Sequence, residues 1–208
     1  QTAYGLRARA YMNMEEWASA ASDASKAAAG YVPAAMNEVA RPSFYDISEH
    51  NWIWGYDMTS DIAMKNPYAT SSAWIRSFSG DGYSAGTQVY SCINNLLYDK
   101  IPSTDVRKGW WVDASLESPL LSAVTWNGVS GNAVAALEID NVKMKFLPYT
   151  NVKFGMAAVG GTLNDDDWPL MRVEEMILIQ AEGLAKSGSE NQAKALLEDF
   201  VRTYRDPA

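Results

Sequence analysis

The sequence predicts a mainly α-helical chain with a minor β component: a helical hairpin at each end and, between them, a loop-rich insert with a few short strands. Three observations predict it. From Trp168 to Arg205 apolar residues fall at helical spacing, Ile177, Ala181 and Leu184, then Ala193, Leu197 and Phe200. Shifted back by 173 positions, the same slots hold Tyr4, Ala8 and Tyr11, then Ala20, Ala24 and Ala27. The residues between are rich in Gly, Ser, Asn, Asp and aromatic residues. Small residues at the paired slots Ala8/Ala20 and Ala181/Ala193 let two antiparallel helices approach closely, and large residues fill the gaps. That is the spacing of a tetratricopeptide-type hairpin. The expected organisation is a hairpin over 1–34, an insert over 35–160 and a second hairpin over 161–208.

Taken in order, Asn13-Met14-Glu15-Glu16 caps a helix that continues through Trp17 to about Ala29. Gly30 stops it, with Pro33 just beyond. Residues 31–50 are irregular. His50 to Tyr56 is an aromatic, β-prone run and predicts a strand. Residues 57–86 form a long polar loop punctuated by Tyr68, Trp74, Phe78 and Tyr83. Thr87 to Asp99 predicts a helix, which would contain Cys92. Ile101 to Asp105 turns the chain into Val106-Arg107-Lys108-Gly109-Trp110-Trp111. Residues 112–141 are loop-like, with a turn at Trp126-Asn127-Gly128. Val142 to Phe154 reads as one or two strands broken near Pro148, and Gly160-Gly161 as a flexible join. In the closing hairpin Pro169 suits a first helical position. The run Asp165-Asp166-Asp167 lies on the favourable side of that helix dipole. Ser187-Gly188 ends the helix, and Ser189-Glu190-Asn191-Gln192 has the form of a capping box that starts the next.

Composition excludes several functions. A net charge of −8, from 17 basic and 25 acidic residues, argues against a nucleic-acid binder and against docking on anionic lipid by charge. No run approaches the roughly 18 apolar residues of a membrane span. One cysteine, Cys92, and one histidine, His50, exclude an intramolecular disulfide and multi-Cys or multi-His metal sites. They leave little scope for a Ser-His-Asp triad. Gln1 lies inside a helical pattern and no secretion signal is present, so the chain reads as a piece of a longer protein. A loop-rich insert this long is unusual in a compact domain unless it has a job, and loops on a rigid helical frame are a common place for binding sites.

Several segments together resemble a known family. They are Ile101 to Trp111, with its D-x-R element at Asp105 and Arg107; Tyr149 to Gly155, with Lys153-Phe154; and Asp167 to Glu182, with its P-L-x-R-x-x-E helix pattern. With the opening hairpin and the Glu49 to Gly55 run, they resemble the SusD/RagB family of outer-membrane nutrient-binding lipoproteins. The resemblance implies a helical, tetratricopeptide-like scaffold with a variable ligand-binding part. It implies capture of glycans, in some branches peptides, on the outer leaflet of the outer membrane. Delivery would be to a SusC-like TonB-dependent transporter. It implies no catalytic activity, and neither a cofactor nor a metal is expected. The lipidated cysteine, earlier hairpins and final segment of the family pattern are absent here, so membrane attachment would run through an anchor outside this chain.

Tryptophan is the strongest compositional signal, with eight residues, six of them between positions 52 and 126. A flat indole covers the apolar face of a sugar ring, while neighbouring polar groups take its hydroxyls. The alternative is that a loop-rich insert needs large side chains for its own core. Trp52 and Trp54 share one strand face by parity and are assigned to the core. Trp17 belongs to the helix interface, and Trp168 to the helix start. Trp74, Trp126, Trp110 or Trp111, and Tyr83 lie in polar, glycine-flanked contexts and are the ligand candidates. Asp105 and Arg107 are expected to hold one another, and Arg172 to pair with Glu175 or Glu182. The acidic run lacks the spaced ligands of a calcium loop. Adjacent carboxylates such as Glu174/Glu175 do not face each other on a helix, so they make poor acid–base pairs. Three functions stay open at this level: a glycan-binding module, a helical scaffold for a protein partner, and a glycan-active enzyme.

Overall fold

The computed structural model describes residues 1–40, 43–65, 92–118, 125–126, 129–130, 138–139, 142–143, 147–151, 153 and 166–208. In chain order the helices are α1 (Thr2–Asn13), α2 (Trp17–Ala28), α3 (Met36–Val39), α4 (Ser60–Lys65), α5 (Asn95–Lys100), α6 (Val173–Lys186) and α7 (Glu190–Tyr204), with a 3-10 turn at Val106–Trp110. The strands are β1 (Trp52–Tyr56), β2 (Thr125–Trp126), β3 (Val129–Ser130), β4 (Glu138–Ile139), β5 (Val142–Lys143) and β6 (Trp168–Arg172). They form three two-stranded sheets, β1 with β6, β2 with β3 and β4 with β5. The chain is mainly helical among the described residues, as predicted.

The chain divides into two compact units. The first comprises residues 1–35, 47–56 and 169–208, so the opening and closing hairpins belong to the same unit. Short links make α1 and α2, and α6 and α7, antiparallel neighbours. The most extensive contacts run between α2 and α6, then between α1 and α2 and between α6 and α7. The four small residues singled out by spacing, Ala8, Ala20, Ala181 and Ala193, are all buried. On α2, Ala20, Ala24 and Ala27 make one stripe with no exposure at all. Met171, Val173, Met176 and Ile53 pack into the core that Ala8, Ala24 and Ala27 line. Gly30 takes φ +86° after α2 and Gly188 φ +89° after α6, a left-handed conformation that glycine adopts without steric penalty.

A buried carboxylate ties four segments of this unit together. Glu174 Oε1 accepts from the Ala34 N–H at 3.0 Å, the Asn51 amide at 2.9 Å and Arg205 Nη2 at 3.3 Å. Glu174 Oε2 lies 3.7 Å from Arg172 Nη1. The expected partners of Arg172 were Glu175 or Glu182; the ion pair is instead with Glu174, because Glu175 takes Arg9 in a bidentate pair at 2.6 Å. Arg205 also donates to the Ala34 carbonyl at 3.1 Å, which fastens the end of α7 to the segment after α2.

Several local expectations are corrected. Pro169 is not a first helical residue. It lies in β6, whose extended backbone continues to Arg172 (φ −123°, ψ 155°), and α6 starts at Val173. Pairing with β1 overrides the local preference, and proline near the start of an edge strand forfeits no needed donor. Asp166 and Asp167 therefore do not serve the α6 dipole, and Asp165 lies outside the described residues. Asp167 accepts from the Met58 N–H at 2.8 Å, and the first-turn carboxylates are Glu174 and Glu175. Ser189 does sit at the α7 N-cap, but no side-chain capping bond forms; its carbonyl accepts from Gln192 and Ala193. Likewise Glu16 is the α2 N-cap without a side-chain bond.

The second unit comprises residues 36–46 and 57–168. Its helix α5 begins at Asn95, later than the predicted Thr87, because Asn94 turns its side chain onto the Leu96 N–H at 2.9 Å and caps there. Cys92 consequently lies outside the helix, in a β-bridge to Thr150. Residues 87–91 and the Gly160-Gly161 join lie outside the described residues.

Candidate functional site

Two of the candidate rings, Trp110 and Trp111, sit at the end of a firmly held turn in the second unit. Asp105, buried, accepts from the Arg107 N–H at 2.9 Å and so caps the 3-10 turn. The same carboxylate takes the Arg107 guanidinium through Nε and Nη2, so the pair holds itself as expected. Lys108 donates to the Ile101 carbonyl at 2.9 Å, closing the loop beneath the turn. Val112 then donates to the Thr150 carbonyl at 3.1 Å, and Trp111 bridges to Asn151. The turn and the segment carrying Lys153 are thus stitched side by side.

The result is a nest of rings and cations. Trp110 and Trp111 meet edge to face, with centroids 6.0 Å apart and planes at 65°. Lys153 Nζ lies 4.3 Å from the Trp110 ring centroid and 4.7 Å from that of Phe44. Lys108 Nζ lies 4.9 Å from the Tyr98 ring, which meets Tyr149 edge to face at 5.3 Å. Each cation over a ring adds about 0.5–2 kcal/mol, depending on desolvation. Burial pushes the Tyr98 phenol up, and the charge of Asp113 adds to the shift. The phenol therefore stays neutral and acts as an apolar wall.

The structure treats the candidate residues differently. The Trp110 indole N–H donates to the Val39 carbonyl at 2.8 Å, and Lys153 lies over its ring, so the fold already uses Trp110. Trp111 is half-buried. Trp126 ends β2 and pairs with Val129, as the predicted turn requires, while its side chain lies outside the described residues. Trp74 and Tyr83 also lie outside them. Among the described residues no group of three or more His, Cys, Asp or Glu side chains is placed to hold a metal ion.

The pairing of Trp52 with Trp54 in the core is wrong. Trp52 is buried and its indole donates to Glu49 at 3.1 Å, but Trp54 is 40% exposed and Tyr56 43%. The cause is local. A side chain added at Gly55 would lie 2.7 Å from the Trp52 ring and 3.1 Å from Ile47, so Trp52 folds across to the Gly55 side instead of keeping to the Trp54 side. The glycine between two aromatic residues was the signal that could have revealed this.

The chain shares its fold with two solved bacterial proteins. One is described as a SusD-like carbohydrate binding protein from Bacteroides vulgatus ATCC 8482, with TM-score 0.65 and 20% identity over 98% of this chain. The other is described as a SusD superfamily protein from Bacteroides thetaiotaomicron VPI-5482, with TM-score 0.65 and 17% identity over 98% of this chain. The chain spans 36% and 40% of those two chains. No family model matches the sequence, and no curated protein does.

Proposed function

We propose that this chain is part of a SusD/RagB-family nutrient-binding protein that captures an oligo- or polysaccharide without catalysis. It delivers the glycan to a SusC-like TonB-dependent transporter on the outer leaflet of the outer membrane, with attachment through a lipid anchor outside this sequence. The observation that carries the reading is the shared fold over 98% of the chain with a protein described as a SusD-like carbohydrate binding protein. The ring-and-cation nest supports it. Its order comes from backbone and side-chain bonds and does not wait for a ligand, so contact area is offered at little entropic cost. Among the described residues no helix is long and apolar enough to cross a membrane.

The proposed glycan contacts are Trp111, with Trp74, Tyr83 and Trp126, and Trp110 supports Trp111 from behind. Affinity electrophoresis against soluble glycans tests them. Trp111→Ala, Trp74→Ala and Trp126→Ala are each expected to lower retention severalfold with unchanged helical circular dichroism. Trp110→Ala is expected to lower thermal stability as well, by about 3–5 kcal/mol, because it removes a large packed ring and its hydrogen bond. Retention by the wild type that survives all four substitutions would remove this assignment.

A further inference from the structure

Among the described residues, Glu15, Phe44, Leu116 and Tyr149 are the non-glycine residues with positive φ. Phe44 at φ +72° and Tyr149 at φ +67° both belong to the ring-and-cation nest of the second unit. A Cβ is disfavoured in this left-handed region, and a bulky side chain most of all. Such a conformation persists only where the surroundings over-determine it, and it gathers at sites whose geometry matters. The residue after Tyr149 is the one that fixes it.

Thr150 has no exposure at all. Its hydroxyl donates to the Leu147 carbonyl at 2.7 Å and accepts from the Leu147 N–H at 3.1 Å. Its own N–H also donates to the Leu147 carbonyl, at 3.1 Å. One buried side chain thus closes the turn over residues 147–150, and two neighbouring segments are registered on that turn. On one side the Ile93 N–H donates to the Tyr149 carbonyl at 3.0 Å, and Cys92 bridges to Thr150. On the other the Val112 N–H donates to the Thr150 carbonyl at 3.1 Å, and Trp111 bridges to Asn151. We infer that Thr150 is a positioning residue, whose hydroxyl sets the turn that holds Trp111 in register for a glycan. The inference rests on the glycan-binding reading above.

Register is what links the hydroxyl to binding. Successive residues of an extended segment face opposite sides, so a slip of one residue moves a side chain to the other face. Trp111 meets Asn151 in a single β-bridge, not within a longer strand, so its register depends on the turn beside it. Removing the hydroxyl takes the acceptor from the Leu147 N–H and one of two donors from the Leu147 carbonyl. The left-handed backbone at Tyr149 then loses the side-chain bonds that close its turn, and the segment can relax toward ordinary geometry. Thr150 is buried and acts on the ligand through Trp111.

The test uses the whole chain in native gels containing soluble β-glucan, galactomannan or arabinoxylan. Thr150→Val keeps the side-chain shape without the hydroxyl, and is expected to lower the association constant severalfold. Thr150→Ser keeps the hydroxyl and is expected to bind as the wild type does. A loss that came only from weakened folding would add to the loss in Trp111→Ala. A positioning loss is expected to vanish in the Trp111→Ala background, because the ring it places is already gone. Wild-type affinity in Thr150→Val, or the same loss with and without the Trp111 ring, would overturn the inference while leaving the glycan reading standing. If Thr150→Val does not fold, amide exchange of the wild type decides. The Val112 N–H is expected to be equally protected with and without the polysaccharide. Protection that arises only with polysaccharide would overturn the inference, since the ligand and not the turn would then set the register. If Trp111→Ala binds as the wild type does, or no polymer retards the wild type, the Trp111 contact and the positioning role fall together.

Discussion

Replacing Glu174 with alanine is expected to lower the unfolding free energy by about 3–5 kcal/mol, the range for breaking a buried ion pair from one side. Its side chain is 4% exposed and that of Arg205 is 5%. The substitution removes the acceptor of three donors at once: the Ala34 N–H, the Asn51 amide and Arg205 Nη2. Arg172, half-buried, loses its ion pair with Glu174. Each unsatisfied buried group costs about 1–3 kcal/mol, and charged ones cost more. Against a total stability of about 5–15 kcal/mol this is a large fraction. Urea titration followed by tryptophan fluorescence measures it, and a midpoint within error of wild type would show that the hub is dispensable.

The same carboxylate sets a pH dependence. Burial pushes the Glu174 carboxyl up, but the charge of Arg172 and the bonds from Ala34 and Asn51 outweigh it, leaving it below its ordinary value of 4.5. A carboxyl depressed in the folded state contributes stability that is present above the ordinary value and lost as pH falls through the folded one. Wild-type stability is therefore expected to decline below pH 4.5, and the decline should be shallower in Glu174→Gln, which has no such proton to take up. Equal slopes in the two proteins would assign the acid loss to other groups.

The second large effect is steric. Gly183 lies mid-helix in α6, where alanine ordinarily stabilises by about 0.5–1 kcal/mol. Here the sign is expected to reverse. An added Cβ would stand 2.6 Å from the Trp17 carbonyl oxygen and 3.0 Å from the Ala21 nitrogen. Both are backbone atoms of the α2 region and cannot swing aside, so α2 and α6 must move apart. Overpacking of this kind costs about 1–3 kcal/mol for alanine, and valine is expected to cost more. Thermal melts decide it. A Gly183→Ala variant that is more stable than wild type would mean that the two helices do not approach as closely as described.

Small residues made the helical part legible. Ala8, Ala20, Ala181 and Ala193 repeat at a fixed interval, and only close helix contacts demand that repetition. What the spacing did not reveal is that α2 and α6 are the central pair, joined through Gly183, because a pairing between distant helices leaves no periodic trace. The start of α6 was misplaced for a similar reason. Pro169 and the acidic run are good local signals for a helix start, but β6 pairs with β1 across more than a hundred residues, and that partner decides the backbone. Asp105 and Arg107 were read correctly because two residues in one turn fix their own geometry. The candidate rings were harder. Exposure depends on which neighbours arrive, and in β1 a single glycine let Trp52 cross over and left Trp54 outside. Lys153 over Trp110 was likewise invisible, since the two lie 43 positions apart.

We propose that this chain binds sugar and leaves it intact. Isothermal titration of the full chain with neutral oligosaccharides, followed by chromatography of the recovered ligand, addresses it most directly. Saturable heat with every oligosaccharide recovered at its original length is the predicted result. Shortened products, or no heat across the whole glycan panel, would contradict it.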